Sequence, residues 1–84
     1  MGIKPLKPRL EKFLAEHKLS KEWTKTINLF RTDIRHPSLN TELLEPKWRG
    51  IYSFRIDKRY RALFFIDANN QAEIFQITKH YHKS

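Results

Sequence analysis

Between Lys47 and Arg61 the chain carries six basic residues and one acid, interleaved with Trp48, Tyr52, Phe54 and Tyr60. Cations neutralise phosphates and aromatic rings stack bases, so this mixture suits single-stranded RNA. Lys47 and Arg49 open the segment. Lys58 and Arg59 sit in a turn, where solvated charge is the ordinary explanation. Arg55 and Arg61 sit inside predicted strands and share one side, which solvation explains less well. Two further groups could move a proton. His80 and His82 lie near the end of the chain, and an imidazole, which changes charge near neutral pH, suits a general acid or a phosphate contact. Glu45, just before the basic segment, is a carboxylate set among cations; on spacing alone, charge balance and a base role are equally open.

Other chemistries lack their parts. Two histidines at i, i+2, with no cysteine and no neighbouring pair of carboxylates, do not complete a metal site. A chain with only two glycines holds neither a phosphate-cradling Gly-rich loop nor a G-x-S-x-G turn. No cofactor is expected.

The elements that must position these groups fit one domain over residues 1–84, because a chain of 84 residues supports a single hydrophobic core. Leu10, Phe13, Leu14 and His17 recur at helical spacing and predict a helix over residues 9–18. Ser20 is a suitable N-cap for a second helix, striped by Trp23, Ile27, Phe30 and Ile34 and ended by His36-Pro37. After a polar loop, residues 38–46, the period becomes two. Residues 50–56 put Tyr52, Phe54 and Ile56 on one face and Ile51, Ser53 and Arg55 on the other. Residues 60–66 put Tyr60, Ala62, Phe64 and Ile66 on the apolar side, with Arg61 and Leu63 opposite. Asp67 to Asn70 form a turn in which Asn tolerates positive φ. In residues 71–79, Phe75 and Ile77 are the expected core side, Ile74 is a misfit, and Gln76, Thr78, His80 and His82 share the open side. The order predicts an α+β fold, a helical hairpin packed on one face of a small antiparallel sheet. Function is then expected on the other face, around solvent-facing Arg55 and Arg61.

A net charge of +8 favours polyanionic partners without choosing among nucleic acid, membrane and acidic protein. No apolar run is long enough to span a bilayer, and the first residues lack the apolar stretch of a secretion signal. The expected compartment is the cytoplasm and no membrane partner is expected.

His36-Pro-Ser-Leu-Asn, Arg49-Gly-Ile-Tyr-Ser-Phe-Arg-Ile, Tyr60-Arg-Ala-Leu-Phe-Phe and Ile77-Thr-Lys-His-Tyr form an ordered set covering about the last fifty residues. This set resembles the RelE/ParE superfamily of toxins, and within it the RelE and YoeB branches. The resemblance implies the toxin of a type II toxin–antitoxin pair, which cuts mRNA on the ribosome with the substrate's own 2′-hydroxyl as nucleophile and no metal. It implies that Arg61 stabilises the phosphate, that Glu45-Pro46 supplies the general base, and that His80-Tyr81 corresponds to a terminal His-Tyr pair. His82 shadows His80, so either imidazole could be the acid. Arg55 belongs with the catalytic groups, and Lys47, Arg49, Tyr81 and His82 with RNA contacts. The expected partners are mRNA, the ribosome and an acidic antitoxin. Family members begin with a strand, but prolines at positions 5 and 8 predict that this strand is short or missing. Two readings compete with the nuclease: a non-catalytic binding protein, either a poison of DNA gyrase, as in the ParE branch, or a degenerate family member held by its antitoxin; and a plain RNA-binding module.

Overall fold

The computed structural model describes residues 1–79. Two helices, α1 (Pro8–Glu16) and α2 (Ser20–Thr32), precede four strands, β1 (Glu42–Leu43), β2 (Tyr52–Arg55), β3 (Tyr60–Ile66) and β4 (Ala72–Lys79). The strands form one antiparallel sheet in the order β1-β2-β3-β4. This is the expected α+β architecture, with one strand more than the three expected.

Pro8 stands at the first turn of α1, where its missing N–H costs nothing. Lys18, at φ 56°, then turns the chain tightly, and the Leu19 N–H donates to the Leu14 carbonyl at 2.8 Å. The Leu19 carbonyl accepts the N–H of Trp23, so buried Leu19 occupies the cap position and Ser20 makes no capping bond. Helix α2 ends at Thr32, short of the expected Ile34. Asp33 leaves helical geometry, and its carboxylate takes the N–H of Arg35 at 3.1 Å, a local turn that competes with another helical residue. His36 and Pro37 instead start a short 3₁₀ turn, Pro37–Leu39, whose Leu39 is buried.

The helices cover the face that carries Phe54 and Phe64. Phe30 packs at 5.0 Å from Phe54 and edge-on at 5.2 Å from Phe64, ring to ring, and Trp23 stacks on Phe54 at 5.8 Å. Leu10, Leu14 and Ile27 complete this layer. His17, on the expected apolar stripe, is exposed and stacks on Phe13 at 3.9 Å.

Two features of the sheet differ from expectation, and a third, the shortened N-terminal strand, agrees with it. The polar loop contains β1, whose Glu42 and Leu43 pair with Ser53 and Tyr52. Strand β4 carries a bulge at Phe75, since Leu63 pairs with Gln76 while Phe64 pairs with Ile74. The extra residue inverts the alternation, so Ala72, Ile74 and Ile77 are all in the core and half-buried Phe75 lies 6.0 Å from Phe65, ring to ring. That removes Ile74 as a misfit and corrects Phe75 as a core residue. The N-terminal strand is reduced to one parallel bridge, Ile3 with Ala72, held by Ala72 N–H to Gly2 O and Lys4 N–H to Ala72 O, both 2.9 Å.

Candidate functional site

On the face opposite the helices, the register lines up Glu42, Ser53, Leu63 and Gln76 in one row and Arg55, Arg61 and Thr78 in the next. Arg61 belongs to the second row but lies diagonally over the first. Its Nη1 donates to Ser53 Oγ at 3.3 Å and stands 3.9 Å from Glu42 Oε2. Serine suits this position, because a larger side chain at fully buried Ser53 would meet the guanidinium. Glu42 is itself held by Asn40, whose Nδ2 donates to Oε1 at 3.4 Å from a left-handed backbone, φ 46°.

The expectation that Arg61 faces solvent is corrected. Its side chain is 10% exposed, because β1 and the chain after it run alongside the guanidinium. Glu42 is 51% exposed, so the pair is asymmetric, a buried cation beside a solvated anion. Arg61 Nε is buried and has no hydrogen-bond partner among the described residues. An unpaired buried donor costs about 1–3 kcal/mol, and more on a charged group.

Arg61 lines a groove of about 660 Å³ together with Glu42, Glu45, Ser53, Thr78 and Lys79. The groove thus brings together Arg61 and Glu45, two of the four expected catalytic residues. Glu45 precedes Pro46 through a cis peptide bond, and a second 3₁₀ turn, Lys47–Arg49, follows. Arg49 lines an adjoining hollow of about 150 Å³ with Glu45, Leu63 and Phe75. Arg55 lies across the strands from Arg61 on the same face and is exposed, but it does not line the groove. Lys47 is exposed on its turn. His80, Tyr81 and His82 lie outside the described residues.

Sequence reasoning did not single out Glu42 or Lys79. A two-residue strand has no periodicity to read, and Glu42 looks like any loop carboxylate until its pairing with Ser53 is known. Lys58 and Arg59 are exposed in the β2–β3 turn, where Asp57 Oδ1 takes the Arg59 and Tyr60 N–H groups at 2.8 Å and the Arg59 guanidinium sits 5.8 Å from the Tyr60 ring centre. Those contacts account for Arg59 structurally. A second hollow, about 560 Å³ between Ile34, His36, Tyr52, Phe64 and Ile66, lies on the helical side and has no carboxylate in its lining. It offers no acid–base pair. Among the described residues no three metal-ligating side chains converge, and no helix is long and apolar enough to cross a membrane.

Comparison with solved structures places this geometry. The chain is 25% identical to a chain of the YoeB-YefM complex from Staphylococcus aureus, covering 96% of this chain and all of that one at a TM-score of 0.60. It is 26% identical to a chain of the YoeB dimer from Staphylococcus aureus, covering 95% of this chain and 94% of that one at a TM-score of 0.59. The chain has a RelE/YoeB-type toxin fold. No family model and no curated protein matches the sequence. The RelE/YoeB-type resemblance read from short ordered motifs therefore holds across nearly the whole chain in three dimensions, although only about a quarter of the positions are identical.

Proposed function

We propose that this chain is the toxin of a toxin–antitoxin pair and that it cuts mRNA on the ribosome by metal-independent transesterification. The observation that carries the reading is that buried Arg61, whose Nε has no partner among the described residues, lines the same groove as Glu45. A phosphate that accepted from Nε and one terminal nitrogen would satisfy the orphan donor through two parallel charge-assisted bonds. It would also displace the weak Glu42 contact.

In this mechanism Glu45 takes the proton of the 2′-hydroxyl as that oxygen attacks the adjacent phosphorus. Charge builds on the non-bridging oxygens, and Arg61 holds it. The bond from phosphorus to the 5′-oxygen breaks, and His80 or His82 protonates the leaving oxygen. The products are a 2′,3′-cyclic phosphate and a 5′-hydroxyl, so atoms and charge balance without a metal or an external nucleophile. Arg55, Lys47, Arg49 and Tyr81 contact the RNA around the scissile phosphate. The surplus of eight positive charges suits an acidic antitoxin that covers the groove, and all these partners are cytoplasmic.

The test is an mRNA cleavage assay with translating ribosomes and purified protein. Cuts bearing a 2′,3′-cyclic phosphate on the upstream fragment and a 5′-hydroxyl on the downstream one are the expected result. Intact mRNA accompanied by gyrase-dependent DNA breaks would move the protein to the ParE branch, and intact mRNA with neither effect would leave a binding module.

A further inference from the structure

Of the four aromatic residues interleaved with the basic segment, the fold uses three internally. Phe54 and Tyr60 are buried, and half-buried Tyr52 stacks on Phe64 at 5.3 Å between ring centres. Trp48 is different. It is 85% exposed, whereas every other aromatic among the described residues is buried or half-buried. A single exposed apolar side chain needs no explanation by itself. Three further observations give this one a direction.

The first is its support. Trp48 is the middle residue of the Lys47–Arg49 turn, closed by Arg49 N–H to Pro46 O and Gly50 N–H to Lys47 O, both 3.1 Å, with Gly50 at φ 65° leading into β2. The indole is therefore displayed from a closed turn instead of a slack loop. The second is its company. Lys47 and Arg49 flank it, both exposed, and among the described residues neither has an ion-pair partner. The third is its place. Glu45, which lines the Arg61 groove, is three residues away, at most about 11 Å of chain.

An exposed ring with a free cation on either side has the composition of a single-strand stacking platform. Cations follow the phosphates, and the ring takes the face of a base without reading its edges. A protein-docking tryptophan would sit among apolar neighbours, but here the adjacent residues are charged. We infer that Trp48 stacks a nucleobase of the strand whose phosphate lies at Arg61, with Lys47 and Arg49 on its backbone. This rests on the RNA-cleaving reading and adds to it a nucleobase subsite outside the catalytic groove, one that selects single-stranded nucleic acid over other polyanions.

Because the chain has two tryptophans, Trp23→Phe leaves Trp48 as the sole indole reporter. The probes are a 2′-O-methyl oligoribonucleotide, which lacks the nucleophilic hydroxyl, and inorganic polyphosphate, which has charge but no bases. Quenching of Trp48 emission by the oligonucleotide and not by polyphosphate is expected. In the otherwise native chain, Trp48→Ala should weaken oligonucleotide binding roughly 5- to 150-fold, the cost of one stacked base, and leave polyphosphate binding unchanged. Trp48→Tyr should retain most of the affinity. Equal quenching by both probes, or full oligonucleotide affinity in Trp48→Ala, overturns the inference while leaving the nuclease reading standing. So does full oligonucleotide affinity combined with lost binding to an acidic partner protein, which would make Trp48 a protein contact. If the native chain binds neither probe and cuts no mRNA, the nuclease reading itself fails and takes this inference with it.

Discussion

The two faces of the sheet are built from the same strands by the same alternation, yet they finish differently. On the helical face every large ring meets another, as Phe30, Phe54 and Phe64 do within about 5–6 Å. On the other face the register sets a buried guanidinium beside a half-exposed carboxylate and leaves one of its donors unpaired among the described residues. Packing that closes on itself stabilises the fold and has nothing left to bind with. A polar face that stays incompletely paired costs stability and keeps a bonding direction for a ligand. Residues that break the rules of good packing are thus the ones to read for function.

The largest expected effect tests the closed face. Phe64 is fully buried between Phe30, Tyr52 and Phe54. Phe64→Ala should lower unfolding free energy by about 3–5 kcal/mol through lost transfer energy and a residual cavity. Denaturant titration reads it, and a loss below about 1 kcal/mol would mean that this face is not the core.

The open face should respond in the opposite way. Arg61→Met keeps the buried stem and removes the charge, so the cleavage rate should fall roughly 10²–10³-fold, about 2.7–4 kcal/mol of barrier. Stability should hold or rise, because replacing a poorly compensated buried ion by an apolar side chain of similar volume is neutral to stabilising by about 1–4 kcal/mol. Arg61→Lys keeps the charge without the planar fork and should remain impaired. A large loss of stability in Arg61→Met, measured by the same titration, would show that Arg61 serves the fold and would remove the contrast between the faces. Arg61→Ala is a poorer test, since burial of the stem means that truncation also opens a cavity.

How much of this contrast was legible depended on where the alternation ran uninterrupted. Strand β3 follows period two without a break, and its bounds, Tyr60 and Ile66, were read from sequence alone. In β4 one bulge shifts the phase, so the half of the strand read from Phe75 and Ile77 could not account for Ile74. Leu19 and Leu39 are core residues outside any periodic stripe, one in a tight turn and one in a three-residue 3₁₀ turn. At the site, Arg61 was legible inside a basic segment and Glu45 as a carboxylate just before it. The burial of Arg61 was not, because it depends on Glu42 and a strand too short to leave a pattern.

The smallest expected effect concerns the seam where the two faces meet at the sheet edge. Lys4 Nζ lies 3.1 Å from Asp67 Oδ2 and 3.3 Å from Glu73 Oε1, tying the N-terminal segment to β4 and its turn. The Asp67 carboxyl is held below its ordinary value of 3.8, first by the Gln71 N–H and then by Lys4 and the Asn69 N–H, against the opposing effect of burial. The Lys4 ammonium is held above its ordinary value of 10.5, first by its hydrogen bond to Asp67 and then by Glu73. A depressed carboxyl contributes stability that is present above its unfolded pKa and is lost as pH falls through the folded value. A raised ammonium contributes stability that is present below its unfolded pKa and is lost as pH rises through the folded value. The seam is therefore strongest between the two limits and weakens below about pH 3.8 and above about pH 10.5. Lys4→Met should remove the alkaline loss and only part of the acid loss, because the Gln71 N–H still lowers Asp67. Asp67→Asn should remove the Asp67 share of the acid loss and reduce the alkaline one, leaving the part that Glu73 provides. Thermal unfolding followed from pH 2.5 to 11 separates these shapes. If Lys4→Met abolishes the whole acid limb, the ammonium and not the turn backbone sets the Asp67 charge, and the seam is an ion pair instead of a hydrogen-bonded turn with a cation resting on it.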